Sequence, residues 1–357
     1  MQVHIFTHEG FYSSALLRLL EKYTDLEGHL FVFRRKQLSG EEYSEKIKSR
    51  IKYSTGFVSL IREVLPILRK ENWIYFHYLP YGPSLFLWAV STRILKKSTW
   101  VIWGGDVFVY KERKKNLRAR VYEMLRKIVI PRFPEIAAFL EEDAREAMAV
   151  YQSEAAYVPI LYPNPLDKRL LRYRPEREAD GVVRILVGNS ADPSNEHIEV
   201  FEKLKHYKKE NIKIICPIPV NEEGKYIQTV IETGRAYFGG NFVFQTRWMK
   251  PAEYAEFLLS IDIAIMNHRR QQGLGNILAL LLTGKKVYLR SDISTYRYLQ
   301  KEGCEIYDVK TIKVDSFNEF VQMNEESKRL NRQIIDRLTS EEYMASLWLN
   351  LLNKHSL

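Results

Sequence analysis

Short apolar runs alternate with amphipathic stretches along almost the whole chain. In the first half, Gln2–His8 reads as a strand, and the repeat of Leu16, Leu19 and Leu20 marks a helix after it. His29–Phe33 predicts a second strand. Ile61, Leu65 and Leu68 then mark a helix before Trp73-Ile74-Tyr75-Phe76, a strand that ends at His77. Further on come a helix over Leu85–Leu95, a strand over Thr99–Trp103 and a long basic helix over Asn116–Val129. A strand at Ile136–Leu140 and a helix at Asp143–Tyr151 complete this half. Strands that alternate with helices predict a parallel, doubly wound sheet.

Pro159, Pro163, Pro165 and Pro175, in a charged and irregular context, predict a linker over 159–180. The alternation then restarts. Strands are expected at Val182–Val187, Ile212–Cys216, Asn241–Phe244, Ile261–Met266 and Lys286–Leu289. Helices are expected around Ile198, Phe201 and Leu204, over Lys225–Thr233, from Pro251 and over Asn276–Leu282. Two last helices follow, Phe317–Leu338 and Glu341–Leu352. The expected organisation is a first α/β domain over 1–158, the linker, a second α/β domain over 181–330 and C-terminal helices over 331–357. No internal repeat or low-complexity segment interrupts it.

Composition agrees with that size. With 357 residues, 46% of them hydrophobic and 13% aromatic, the chain can bury two cores and is not a disordered protein. Its two cysteines, Cys216 and Cys304, lie far apart without metal-ligand spacing, which predicts a reducing compartment and no disulfide framework. The opening Met1-Gln2-Val3-His4-Ile5-Phe6 runs straight into a strand pattern, and no stretch of about 18 apolar residues occurs, so a cytoplasmic location is expected.

Charge changes the picture locally. The net charge is +10, and Arg93–Arg132 alone carries twelve cations against Asp106, Glu112 and Glu123, a surplus of +9. Such a patch predicts an anionic partner: lipid headgroups, nucleic acid or an anionic substrate. A nucleic-acid platform would interleave aromatics with the cations, and Arg113–Lys127 holds only Tyr122. No nucleic-acid partner is therefore expected, and a solvated helix face is the plain alternative.

Two turns of the second half look ready for a ligand. The first is Gly188-Asn189-Ser190-Ala191-Asp192-Pro193-Ser194-Asn195-Glu196-His197, between a strand and a helix, with Asp192 or Ser194 placed to cap that helix. The second runs from Asn267 to Asn276, through Arg270, Gln271, Gln272, Gly273 and Gly275. Glycines permit close approach, a helix start favours an anion, and arginine adds charge, which is the chemistry a diphosphate requires. Neither GxGxxG nor a Walker sequence occurs. In the first half His77, Asp106 (within Trp103-Gly104-Gly105-Asp106) and Glu9 with His8 lie at strand ends, where an imidazole or carboxylate could deprotonate a hydroxyl; the more common role of such residues is a structural hydrogen bond or turn. No zinc-type or magnesium-type cluster is legible, so no metal is expected.

The strings Val187-Gly188-Asn189-Ser190, Ser194-Asn195-Glu196-His197, Arg270-Gln271-Gln272-Gly273-Leu274-Gly275 and Trp103-Gly104-Gly105-Asp106, with Phe76-His77, Tyr226 and Tyr254, resemble the 4-acetamido-4,6-dideoxygalactosyltransferases, glycosyltransferase family 56. The resemblance runs over most of the chain. It implies two Rossmann-like domains with parallel sheets facing a cleft, the B-type glycosyltransferase fold. It also implies a dTDP-linked deoxy amino sugar as donor, with no metal or other cofactor. The implied acceptor is a polyprenyl-diphosphate-linked glycan at the inner face of the membrane. The donor set would be Gly188, Asn189, Ser190, Asp192, Ser194, Asn195, His197, Pro217, Tyr226, Arg270, Gln271, Gln272, Gly273, Gly275 and Asn276. Asp106, His77 or Glu9 would take the acceptor proton. Lys111, Arg113, Lys114, Lys115, Arg118 and Arg120 would face the acceptor and an anionic membrane. Another nucleotide sugar, or a nucleotide-sugar epimerase of the same architecture, is the alternative.

Overall fold

Among the described residues every strand pairing is parallel, as helices inserted between successive strands require. The computed structural model describes residues 1–35, 43–112, 116–164, 166, 168–172, 180–218, 224–247, 249–313 and 315–356. One sheet contains β1 (Gln2–Phe6), β2 (His29–Phe33), β3 (Ile51–Tyr53), β4 (Trp73–His77), β5 (Ser98–Val101), β6 (Glu135–Ala138) and β7 (Ala156–Pro159). Their order is β3-β2-β1-β4-β5-β6-β7. The other contains β8 (Val183–Val187), β9 (Ile212–Pro217), β10 (Phe242–Gln245), β11 (Ile263–Met266), β12 (Lys286–Leu289) and β13 (Tyr307–Asp308), ordered β10-β9-β8-β11-β12-β13. The strand order reverses between β1 and β4 and between β8 and β11, and open α/β sheets bind ligands beyond the carboxyl ends of the strands at such a reversal. These are two doubly wound, Rossmann-like sheets.

The chain divides into two compact units, Met1–Pro165 with Thr339–Leu357, and Leu166–Leu338. Both sheets bury near-continuous apolar strands, the signature of a sheet covered on both faces. The last helix, Glu341–Asn353, packs in the first unit: Trp348, Leu351 and Leu352 share a core with Phe6, Leu16, Leu20 and Phe31. Trp348 donates to the Leu161 carbonyl (2.9 Å) and Gln2 to that of Leu352 (2.9 Å). Beyond that helix, Lys354 and His355 both reach Glu135 at the start of β6.

The sequence pattern misses three strands, each at or beside a sheet edge. β3 and β7 have no fully buried face and β13 has two residues, so no alternation can announce them. Two expected helices are broken. Leu85–Leu95 divides at Ser91, whose hydroxyl turns back to the Leu87 carbonyl (2.7 Å), into Ser84–Val90 and Thr92–Leu95. Phe317–Leu338 divides into Phe317–Val321 and Glu325–Leu338, because the Asn324 side chain accepts from the Ser327 N–H (2.7 Å) and caps a new helix.

Candidate functional site

In the second unit the two polar turns leave β8 and β11, the strands on either side of the reversal. Gly188 follows β8 at φ +69°, and a Cβ there would lie 2.7 Å from both Asn195 Oδ1 and His197 Nε2. Only glycine fits that position. The Asp192 side chain accepts from the Ser194 N–H (2.8 Å), but it caps a single 3₁₀ turn, Pro193–Asn195, and not the helix the sequence predicts there. Glu196 at φ 50° redirects the chain, and the helix begins at His197. The second turn ends at Gly273 (φ +64°), where the helix Leu274–Leu282 starts; a Cβ there would meet Asn189 Nδ2 at 2.6 Å.

Hydrogen bonds tie the two turns together. Ser194 donates to Gln272 Oε1 (2.8 Å), Gln272 Nε2 donates to the Ser190 hydroxyl (3.0 Å), and the Arg269 N–H donates to the Ser194 carbonyl (2.9 Å). Asn195 is fully buried. Its Oδ1 accepts from the Asn189 N–H (2.9 Å), and its Nδ2 donates to the Asp192 carbonyl (3.0 Å) and the Ser190 hydroxyl (3.2 Å). Arg270 lies 3.7 Å from Asp192, and Arg269 3.0 Å from Glu196. Burial raises the Asp192 pKa, but the Ser194 hydroxyl and N–H, with Arg270 and Arg269, hold it below the usual range. Tyr226 OH accepts from the His197 N–H (3.2 Å) and faces its Nδ1 (3.0 Å). Burial pushes His197 down to about 4, so it is neutral at pH 7. Gln271, Gly275 and Asn276 are half-buried around the helix start, and Pro217 closes β9 beside β8. Asn189 Oδ1 and His197 Nε2 are both buried without a hydrogen-bond partner.

Sequence reasoning left His268 out of this set. It is fully buried, with Nδ1 3.1 Å from the Gln272 carbonyl and Nε2 3.0 Å from Asn195 Oδ1. Both nitrogens face oxygen acceptors, and a neutral imidazole can donate to only one. Burial nevertheless pushes it down to about 3. Glu199 was missed as well; it joins Asn267, named in the sequence only as the start of the second turn, at 3.1 Å. The one signal for either His268 or Asn267 is its place directly after β11.

In the first unit, Asp106 is fully buried. It accepts from the Leu79 N–H (3.0 Å), the Trp100 indole (2.8 Å) and the Trp103 N–H (2.9 Å). Burial pushes its carboxyl up against those donors. His77, also fully buried, contacts the Tyr162 hydroxyl and His4 (3.0 Å). Glu9, after β1, accepts from Tyr53 OH (3.0 Å). Among the acceptor-side candidates, Lys111 pairs with Glu146, Arg118 leans on the Tyr122 ring (5.4 Å), and Arg120 is exposed. Arg113, Lys114 and Lys115 lie outside the described residues. Arg126, one of the twelve local cations, does not belong to the patch: it is buried against Trp100 and Tyr151 and donates to the Asp106 carbonyl (2.6 Å). Exposed apolar side chains accompany the surface cations, among them Phe86 (51%), Val90 (80%), Leu117 (78%) and Met124 (56%). Among the described residues, no His, Cys, Asp and Glu group could hold a metal ion, and no helix is long and apolar enough to cross a membrane.

The fold is shared with solved glycosyltransferases. Sucrose-phosphate synthase from Thermosynechococcus elongatus superposes with a TM-score of 0.71 at 12% identity, covering 99% of this chain and 98% of that one. Anabaena HepE, solved with UDP and glucose, gives 0.68 at 12% identity over 99% of this chain and 100% of its own. WaaG, a glycosyltransferase of lipopolysaccharide biosynthesis, gives 0.62 at 9% identity over the whole of both chains. A family model described as 4-alpha-L-fucosyltransferase, glycosyl transferase group 56, matches residues 4–354. The chain belongs to that family.

Proposed function

We propose that this group 56 glycosyltransferase moves a 4-acetamido-4,6-dideoxyhexose from a dTDP-sugar to a lipid-diphosphate-linked oligosaccharide or a related surface-glycan acceptor. The observation that carries the donor half is the cross-linked pair of turns after β8 and β11, which leaves Asn189 Oδ1 and His197 Nε2 buried and unpartnered. A buried polar group without a partner costs free energy that a bound ligand can return. The family description, a fucosyltransferase, supports a deoxyhexose donor.

In this reading the diphosphate sits at the start of the helix Leu274–Leu282, with Gln271, Gln272, Gly273, Gly275 and Asn276 around it and Arg270 adding charge. The same groups stabilise the charge that grows on the diphosphate as the glycosidic bond breaks, with no metal required. Asn189, Ser190, Ser194, Asn195, His197 and Tyr226 hold the nucleoside. The first unit supplies the acceptor side. His77, reached through the half-buried Tyr162, takes the hydroxyl proton, while Asp106 holds its turn and Glu9 lies beside Tyr53. Arg118, Arg120 and Lys127, with Phe86, Leu117 and Met124 exposed nearby, fit an anionic membrane surface, each cation contributing about 1 kcal/mol close to it. The protein acts at the cytoplasmic face as a peripheral enzyme.

The test is a transfer assay with a polyprenyl-diphosphate-linked oligosaccharide and dTDP-, UDP- or GDP-sugars, with and without EDTA, products read by mass spectrometry. Transfer from the dTDP-sugar, unchanged by EDTA, is expected. Transfer from UDP- or GDP-sugars alone would move the donor. An epimerised nucleotide sugar formed without acceptor would replace the reading by an epimerase.

A further inference from the structure

We propose that Tyr162, His77, His4 and His29 form a proton path through the first sheet, from the carboxyl end of β4 to an open cavity at the amino end of β2. The strand register builds it. Gln2 pairs with His29 and Phe6 with His77, so His4, midway between them on β1, has an imidazole on each diagonal. His4 Nδ1 lies 3.0 Å from His77 Nε2, and His4 Nε2 lies 3.2 Å from His29 Nδ1. His77 Nδ1 is bonded to the Tyr162 hydroxyl. His4 and His77 are fully buried, and Phe6 stacks on His77 with ring centres 4.0 Å apart. His29 lines a cavity of about 550 Å³ together with Gln2, Asp25, Asn72 and His355.

The links suit conduction because every junction needs one proton and accepts it from either side. With Tyr162 donating to His77, each imidazole donates onward from Nε2 toward His29. In the reverse polarity each donates from Nδ1 toward Tyr162. Burial holds His4 and His77 well below 6.5 and takes His29 to about 4, so all three are neutral at pH 7 and no fixed cation blocks the line. The charged groups that face it are the Asp25 carboxylate and the Met1 ammonium at the His29 end, and Asp106 at the Tyr162 end.

The inference rests on the reading that the acceptor hydroxyl reacts at this end of the sheet. Its oxygen forms the bond to the sugar carbon, the bond to the diphosphate breaks, and the electron pair leaves with the diphosphate. The hydroxyl proton passes to the Tyr162 oxygen as the Tyr162 proton moves to His77 Nδ1. His77 Nε2 then gives its proton to His4 Nδ1, and His4 Nε2 gives its own to His29 Nδ1. One proton leaves His29 Nε2 for the cavity. One proton has entered, one has left, and the line has reversed polarity.

Two measurements on the full chain test this. In ¹⁵N-histidine NMR at pH 7, His4, His77 and His29 should each average between two neutral tautomers; three fixed tautomers would overturn the path, whatever the enzyme's substrate. In the transfer assay, His29→Ala should lower kcat about tenfold, leave both KM values unchanged and regain turnover when imidazole is added to occupy the vacated space. His29→Gln, which keeps a polar side chain in place, should show the same loss without rescue. Unchanged kcat in folded variants, judged by circular dichroism, would overturn the path and leave the transferase reading intact. Absence of any transfer by the wild-type chain would instead sink that reading and leave the NMR result to decide the path.

Discussion

Beyond β8 and β11 two buried polar atoms lack a partner, whereas Asp106, His77 and Glu9, the candidate groups beyond β1, β4 and β5, are each bonded within their own unit. Asn189 Oδ1 and His197 Nε2 have no partner, and His268 faces two acceptors with one proton to give at neutral pH. By contrast, Asp106 receives three donors, His77 is bonded at both nitrogens, and Glu9 holds Tyr53. The two ends are built on the same parallel topology and differ in what their turns leave unsatisfied. In the second unit the unpartnered Asn189 Oδ1 and His197 Nε2 support the proposed donor site, where a bound ligand would complete them. In the first unit the Trp103 indole N–H after β5 is also buried without a partner, but Asp106, His77 and Glu9 themselves are bonded, which fits groups that hold geometry and pass a proton.

Glycine substitutions give the largest test of this contrast. Gly188→Ala places a Cβ 2.7 Å from two side-chain atoms at positive φ. It should weaken nucleotide binding about 100-fold and cost about 1–3 kcal/mol of stability. In the first unit Gly105→Ala meets nothing nearer than Tyr78 Cε2 at 4.0 Å and should leave binding and melting unchanged. Calorimetric titration and melting curves read both.

Asp106→Asn comes next. An amide cannot accept at both ends, so one of the three N–H donors must face an NH₂, at a cost of about 1–3 kcal/mol. The melting temperature should fall while nucleotide binding by the second unit stays intact. Lost nucleotide binding would erase the distinction between the two ends.

The smallest effect is acid sensitivity of the first unit. Burial pushes the Glu135 carboxyl up, but His355, Lys354 and Thr99 outweigh it and bring it down to about 2. A depressed carboxylate contributes stability that is full above its unfolded pKa, about 4.5, and is lost as pH falls toward 2. Trp73 stacks on His355 at 3.5 Å, so its fluorescence should report release of the chain end across that window. In Glu135→Gln the pH dependence should flatten.

The two sheets were legible in the sequence because central parallel strands are uninterrupted apolar runs; β3, β7 and β13 were not, because these short edge strands carry no buried run. The polar turns were legible as compositions, Gly188 through His197 and Arg270 through Asn276. Their contacts were not, since Ser194 to Gln272 and His268 to Asn195 join segments more than seventy positions apart. His268 looks in sequence like any lone histidine after a strand, and so does His77. The diagonal of His4, His77 and His29 follows from strand register, which no local pattern carries. Arg126 shows the same limit in reverse: it reads as surface charge and is core.

The central claim is that the turns after β8 and β11 bind a nucleoside diphosphate, and a thermal-shift comparison of dTDP, UDP, GDP and CDP, with and without EDTA, tests it most directly. A ligand that binds only the folded state raises the melting temperature. The account predicts a rise with dTDP that EDTA does not remove and that Gly188→Ala abolishes. No rise with any of the four nucleotides would contradict it.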